Sequence, residues 1–482
     1  MQMTKRSLPR TTPEQVGIVA QQIIAFLDDV RLHKSELHSF MLLRHGQVAA
    51  EGWWGPYTPE LPHMLFSLSK SFTSTAIGMA VHEGIITLDD AVVSFFPDDL
   101  PGDVSEHLAA MQIRHLLMMG TGHDQDTMDA LIAAEDGNWV RAFLELPVPH
   151  EPGTHFLYNT GATYMLSAIL LKASGQSLID YLTPRLFEPL GIQDPTWDIC
   201  PRGINTGGYG LNVTTEDIAK FGQLYLQKGL WNGVRIIDEE WINEATSKQI
   251  SNGDGGDSDW AQGYGYQFWR CRHGIYRGDG AFGQFCIVIP EQDAVIAITS
   301  GTGDMQVILN SVWDHLLPGF LPDPVAADES SVALSEYLAK LQLEVPQLRS
   351  ESMLEAQVSG KRYEIEQDQM EQAPFPLKDL RIEFDKDSAR LNLKLESEDS
   401  LTLGREHWLT ESTITIEGKD TRIAGSFTWK SYYELVLTLQ AIETPFCVTL
   451  EVHFVDDAIT IHSRYNVGWD KVITVHGRTV DE

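Results

Sequence analysis

Cysteine is scarce in this chain: Cys200, Cys271, Cys286 and Cys447 are the four among 482 residues. They are too few and too scattered for a disulfide framework, and no pair has the C-x-x-C spacing of a zinc or redox site. Positive charge is also in short supply. Lys and Arg total 35 against 68 Asp and Glu, a formal net charge of −33. A chain that acidic is repelled by phosphate backbones and anionic membranes, which argues against a nucleic-acid or membrane-surface role. No run approaches the ~18 apolar residues of a membrane span. The first 15 residues carry basic side chains but no apolar core after them, so they do not read as a signal peptide, and a cytoplasmic location is expected. There is no internal repeat, no low-complexity tract, no Gly-x-Ser-x-Gly elbow, no His-Glu-x-x-His and no phosphate loop. The 16 histidines form no set with ligand spacing. No metal, nucleotide or flavin cofactor is therefore expected.

What remains is an ordinary globular balance, 43% hydrophobic and 21% charged, in a chain long enough for two or three domains. Helical spacing covers 12–32, where Ile18, Ile23, Ile24, Phe26 and Leu27 share a broad face. A hairpin follows, 39–44 and 47–54 around His45-Gly46. A helix is predicted from about Ser67 to His82, ending at Glu83-Gly84. The stretch 88–249 reads mostly as helices and loops, among them 162–173 and 215–227, the latter with a capped start at Thr215. Strands are expected at 264–270, 285–289 and 294–299, then a helix at 305–316. This order, with a helical insertion between strands that must pair across it, is α+β.

Pro318, Pro322 and Pro324 mark a boundary. A short helix is expected at 332–343. Beyond Gly360 eight short alternating runs, 380–384, 389–395, 413–417, 423–429, 434–439, 447–454, 458–463 and 472–476, predict an antiparallel sheet or barrel-like domain. The organisation read from the sequence is thus residues 1–323, with a helical subdomain at about 88–250, followed by an accessory β-domain at 324–482. The accessory domain could cap the active site, pair subunits, bind a ligand or simply cover an apolar face of the first domain. Its aromatics Trp408, Trp429, Tyr432, Tyr433 and Trp469 are assigned to core and sheet faces rather than to a carbohydrate platform.

Three segments carry chemistry. In Phe66-Ser67-Leu68-Ser69-Lys70, positions i and i+3 of a helix share a face, so the Lys70 ammonium can reach the Ser67 hydroxyl. Serine is a poor nucleophile until a base takes its proton, and a lysine with a lowered pKa can be that base. A serine opening a helix also has a free backbone N–H for an oxyanion. The spacing alone recurs by chance about once in a chain this long. Here, however, it opens a helix apolar almost all round (Phe72, Ala76, Ile77, Met79, Ala80, Val81), so Lys70 is expected inside, and a buried lysine needs a reason. The second segment is Pro152-Gly153-Thr154-His155-Phe156-Leu157-Tyr158-Asn159-Thr160-Gly161, in which Tyr158 could relay a proton if cations lower its pKa. His155 and His123 are candidate pocket neighbours, more simply read as hydrogen-bonded loop residues. The third is Arg277-Gly278-Asp279-Gly280-Ala281-Phe282-Gly283-Gln284, whose glycines permit close backbone approach. Its Arg-Gly-Asp is given little weight as an adhesion motif.

In this order the three segments resemble the serine β-lactamase and penicillin-binding-protein superfamily, most closely the class C β-lactamase-like serine hydrolases that include D-amino-acid peptidases and carboxylesterases. Leu88-Asp89-Asp90, Ile113-Arg114-His115-Leu116-Leu117, Gly120-Thr121-Gly122 and Gly207-Gly208-Tyr209-Gly210 add to the likeness, which spans roughly residues 10–317. The resemblance implies Ser67 as the acylated nucleophile, Lys70 as its activator and Tyr158 as the proton shuttle. It also implies backbone N–H groups of Ser67 and Ala281 as the oxyanion hole. Thr160 stands where the family has Asn, with Asn159 the alternative after a one-residue shift. Gly278 replaces the family's basic strand residue, which weakens a β-lactamase or DD-carboxypeptidase reading, and Asp279 beside Gly280 adds negative charge to the pocket. If Asp279 faces the site, a substrate with a free amine is favoured. Arg277 beside Gly278 points to the other face of a strand, so it is not expected to replace the missing cation. The expectation is a serine hydrolase acting on a small ester, amide or D-amino-acid peptide. The alternatives are cell-wall-type or β-lactam hydrolysis, and a non-catalytic binding or sensor protein of the same fold. The partners expected are a small-molecule substrate and a second copy of the chain docked through the C-terminal domain.

Overall fold

The computed structural model describes residues 7–366, 377–395, 397–416 and 418–480. Glu417, which the sequence reading placed in a strand end, and the first six residues lie outside them. The chain divides into two compact units: Met1–Gly52 with Pro62–Ser300 and Asp304–Ala339, and Trp53–Leu61 with Gly301–Gly303 and Lys340–Glu482.

The first unit is built on a six-stranded antiparallel sheet. Its strands are β1 (Leu37–Arg44), β2 (Gln47–Trp53), β3 (Trp269–Arg270), β4 (Tyr276–Gly280), β5 (Gln284–Ile289) and β6 (Ala294–Ser300), in the order β2-β1-β6-β5-β4-β3. The N-terminal hairpin therefore pairs with strands some 250 residues later, in register Leu43 opposite Val295 and Phe40 opposite Ile298. Strands β1, β5 and β6 are buried along their whole length, which explains why they read as continuous apolar runs rather than alternations. Helix α1 (Ala20–Leu32) lays Phe26 on Phe40, ring centroids 5.2 Å apart.

Between β2 and β3 lies the helical insertion, which carries α2 (Ser69–His82), α3 (Thr160–Ser174) and α4 (Thr215–Leu226). Helix α4 packs on β5 and β6. Helix α2 is buried on nearly every face, and its hydroxyls are satisfied by the chain wrapped around it. Ser71 Oγ donates to Gln267 O (2.9 Å), Thr73 Oγ1 to Gly207 O (2.8 Å) and Ser74 Oγ to Tyr266 O (2.7 Å). Buried hydroxyls are tolerated only with such partners. Here they also fix the surrounding loops to the helix that follows the Ser67 turn.

Several boundaries differ from the sequence reading. Helix α2 begins at Ser69, with Ser67 one turn earlier in a 3-10 segment, Phe66–Leu68. Helix α4 is capped by Thr214, not Thr215: the Thr214 side chain accepts from Asp217 N and donates to its carboxylate, a reciprocal capping box. The run 264–270 contributes only Trp269–Arg270 to the sheet, and the Gly-rich segment expected to precede a strand is itself strand β4. The helix at 305–316 is α-helical over Met305–Ser311 and widens to a π-turn over Val312–Leu316.

The second unit is a ten-stranded β-domain that includes the eight runs read from sequence plus two that the reading missed, Arg362–Ile365 and Glu398–Arg405. Neighbours are antiparallel throughout, and a short parallel pairing of Gly404-Arg405 with Ser426-Phe427 closes the sheet on itself. Its core gathers Trp429, Tyr363, Phe427 and Phe454 with aliphatic side chains from every strand. Trp429 is wholly buried, as a core assignment requires, whereas Tyr433 and Trp469 are exposed (53% and 44%) and belong to neither core nor buried sheet face. Among the described residues, no helix is long and apolar enough to cross a membrane.

Candidate active site

Ser67 sits on a turn held in an unusual shape: Phe66 before it has φ 48°, a left-handed conformation costly for an aromatic residue. Strand β4 presses against this turn. A Cβ on Gly280 would stand 2.0 Å from Leu65 O, and one on Gly278 would stand 2.5 Å from both Leu68 Cδ1 and Ser71 Oγ. The glycines are thus required by approach distance. The absence of a basic side chain at 278 has the same cause, since no side chain fits there. Gly280→Ala should cost about 1–3 kcal/mol of stability through overpacking, read as a lower denaturation midpoint, with turnover falling because the Ser67 turn has to move.

Lys70 is 1% exposed, and Ser67 is half-buried. The Lys70 ammonium donates to Ser67 Oγ at 2.9 Å and to Gly208 O at 2.9 Å, with Thr160 Oγ1 at 3.4 Å. It also lies 4.8 Å above the Tyr158 ring. Burial is the largest influence on this amine and lowers its pKa from the ordinary lysine value to about 7, against the opposing pull of Asp126 and Asp279. Burial thus brings the free-base form of Lys70, beside the serine hydroxyl, within reach of neutral pH.

Tyr158 is fixed by aromatic neighbours. It stacks on Trp269 (5.2 Å, 22°) and meets Tyr264 edge-on (6.1 Å, 89°). Its hydroxyl is turned toward Ser67, which opposes the upward shift of its ionisation. The sequence reading imagined cations lowering its pKa, but the direction is the reverse: burial, reinforced by the Asp279 charge, raises it, so Tyr158 stays a neutral phenol.

Of the two pocket alternatives in the tyrosine loop, Thr160 is the one that reaches Lys70. Asn159 is fully buried. Its carboxamide oxygen accepts from Thr127 Oγ1 (2.8 Å), Thr127 N (3.2 Å) and Ala162 N (3.3 Å). This is a helix-capping role, and the expectation that Asn159 lines the pocket is corrected accordingly. Asp279 is buried, and its carboxylate is taken up by Arg277, whose Nε donates at 2.9 Å. Arg277, also buried, lies 4.4 Å over Trp260 and donates to Asp259 O at 2.8 Å. Residues 277 and 279 share a strand face, as alternation dictates. Arg277 therefore pairs with Asp279 inside the protein, away from solvent, although Lys70 and Tyr158 still feel the Asp279 charge. The Arg-Gly-Asp tripeptide lies entirely inside the protein.

The carboxylate that does remain exposed near Lys70 is Asp126, which the sequence reading passed over. Its Oδ1 accepts Thr160 N (2.9 Å) and Met128 N (3.0 Å), and its charge is felt by both Lys70 and Tyr158. The only sequence hint was its place four residues after Gly120-Thr121-Gly122. His123 is buried, bonded through Nδ1 to Thr121 Oγ1 (2.9 Å), and burial lowers its pKa to about 4, so it is a neutral loop residue. His155 stacks on His150.

Comparison with known proteins agrees with this architecture. The Beta-lactamase family model matches residues 38–307, which contain every residue of the site just described. A 6-aminohexanoate-dimer hydrolase of Paenarthrobacter ureafaciens is 24% identical over 335 residues, covering 65% of this chain and 84% of that one. A D-aminopeptidase of Brucella anthropi is 26% identical over 166 residues, 32% of this chain and 31% of its own. Among solved structures, the octameric penicillin-binding protein homologue from Pyrococcus abyssi aligns with 94% of this chain and 99% of its own at a TM-score of 0.51 and 17% identity, a likeness of fold alone.

Proposed function

Because the chain belongs to the β-lactamase family of serine hydrolases, we propose that it cleaves a small amide or peptide-like substrate bearing a free ammonium group, through an acyl-enzyme on Ser67. The observation that carries the mechanism is the 2.9 Å bond between Ser67 Oγ and a Lys70 whose pKa burial brings to about 7. Neutral Lys70 takes the Ser67 proton as Oγ attacks the substrate carbonyl carbon. The developing oxyanion is received by the backbone N–H groups of Ser67 and Ala281. Ala281 follows Gly280, whose Cα lies against Leu65 and Phe66, and the Phe66 and Phe282 rings meet edge-on at 5.3 Å. This keeps the two donors on adjoining segments. Tyr158, a neutral phenol, gives its proton to the departing nitrogen as the C–N bond breaks and is reprotonated from the Lys70 ammonium. Water then attacks the acyl carbonyl, Lys70 takes the water's proton, and Ser67 Oγ leaves with a proton from the same pair.

The substrate class rests on charge. Lys70 and Tyr158 feel the charges of both Asp126 and Asp279, but Asp279 is buried and paired with Arg277, so Asp126 is the exposed carboxylate that a substrate ammonium can meet. The relatives' names, an aminohexanoate-dimer hydrolase and an aminopeptidase, describe substrates with amines. The test compares D-alanine and 6-aminohexanoyl p-nitroanilides with their N-acetylated counterparts and with nitrocefin. The cationic anilides should be preferred. Asp126→Asn keeps the acceptor for Thr160 N and should lower kcat/KM on them about 5- to 10-fold, the size of a partly exposed ion pair, while leaving the acetylated ones within about twofold. An equal loss on both, or a preference for acetylated substrate, would remove Asp126 as the discriminator. Turnover of nitrocefin alone would favour the β-lactam reading.

A further inference from the structure

The fold gathers a second set of chemical groups that the reaction above does not use. Asp124, His150 and His155 place one carboxylate oxygen and two imidazole nitrogens within 4.8 Å of one another. His150 Nε2 is 2.6 Å from Asp124 Oδ1, and the two imidazole rings stack with centroids 4.3 Å apart. We propose that this trio is a binding site for a divalent transition-metal ion of the zinc class, joining the 121–127 loop to the loop that carries Tyr158.

The donors sit on a framework that holds them near one another before any ion arrives. The two loops are laced by backbone hydrogen bonds: His150 N to Gly122 O (3.1 Å), Gly153 N to Gly120 O (2.7 Å) and Leu157 N to Met119 O (2.9 Å). The approach at Gly122 is so close that a Cβ there would stand 2.3 Å from His150 O, and its φ of 88° suits glycine. Asp124 lies two residues beyond this crossing on one strand of the lacing, and His150 and His155 flank it on the other.

The donor chemistry selects the ion. Two imidazoles and one carboxylate suit zinc, cobalt, nickel or copper; magnesium and calcium prefer all-oxygen shells. Ligand bonds of about 2.0–2.2 Å place donor atoms a little over 3 Å apart, and the three donors here already lie within 4.8 Å of one another. Asp124 is exposed and both histidines are half-buried, which leaves room for water in the remaining positions and makes an exchangeable site rather than a sealed structural one. The linear spacing, 26 residues from Asp124 to His150, is why the sequence reading expected no metal. The ion's place in the fold gives it a consequence, because Asp126 is two residues from Asp124 and Tyr158 three from His155.

The test is a cobalt titration of the chelator-stripped full-length protein followed by its visible d–d absorption, with zinc as competitor. One equivalent of cobalt should produce a saturating band with half-saturation below ~100 µM, and zinc should abolish it. His150→Ala and His155→Ala should each weaken half-saturation at least about tenfold, with far-ultraviolet circular dichroism and thermal midpoint of the metal-free proteins unchanged. Zinc should raise the thermal midpoint of the wild-type protein and of neither variant. A titration that does not saturate, or one whose half-saturation is the same in both histidine variants as in wild type, would overturn the assignment.

Discussion

Ser67→Ala should lower kcat/KM by roughly 10³-fold or more on any substrate the wild-type protein turns over, because among the described residues Ser67 is the hydroxyl closest bonded to Lys70, at 2.9 Å against 3.4 Å for Thr160. Thr160 Oγ1 is the other hydroxyl to which Lys70 Nζ donates, at 3.4 Å. It belongs to the first turn of α3, whereas Ser67 lies on the turn pressed by β4. Two readouts make the outcome informative. Steady-state turnover gives the loss itself. Intact-mass analysis after a fluorophosphonate probe should show one adduct on the wild-type protein and none on Ser67→Ala. An adduct without sustained turnover of any substrate would instead describe a stably acylated sensor of the same fold. Retention of activity in the variant would dismiss Ser67 as nucleophile.

The second large effect concerns Lys70. Since the reactive form is the free amine, kcat/KM should rise with pH along a single limb of unit slope centred near 7, the value to which burial lowers this lysine. The sign follows from the group: below the midpoint Lys70 is an ammonium and cannot accept the Ser67 proton, and above it the base is fully formed. Tyr158 adds no falling limb in the ordinary alkaline range, because burial moves its ionisation upward. Lys70→Ala and Lys70→Arg should both lose about 10²–10⁴-fold, the arginine because it keeps the charge and has no accessible free-base form. Loss of the limb near pH 7 in these variants, with the limb retained in Tyr158→Phe at lower rate, identifies the titrating group. A limb that persists unchanged in Lys70→Ala would assign it elsewhere.

Local features were legible early for local reasons. The i,i+3 spacing of Ser67 and Lys70 needs only one turn to bring the two together, and the all-round apolar character of the following helix implied that Lys70 is buried. The β1–β2 hairpin, announced by Gly46 in its turn, and the period-two runs beyond Gly360 are likewise written within ten residues. The missed strands, Arg362–Ile365 and Glu398–Arg405, are short or acidic, and they pair through partners the local pattern does not announce. Thr214 was overlooked as the cap because Thr215 is an equally plausible residue type one position on. Only backbone geometry distinguishes the extended cap from the first helical residue.

The sequence by itself determined the α+β class, the closeness of Ser67 and Lys70 and the position of the tyrosine loop. Each of these is carried by residues that are neighbours along the chain or along one turn of helix. Tertiary structure decided the charges around that pair. Arg277 was expected on the face opposite Gly278, and the same alternation puts it beside Asp279, where it pairs with the carboxylate thought to attract an amine. Asp126 acts on Lys70 from 56 positions away, and Asp124 meets His150 and His155 only because loops 120 and 150 are laced together. Electrostatic interaction depends on distance through space and on burial, and neither is written in linear spacing once the chain has turned back on itself.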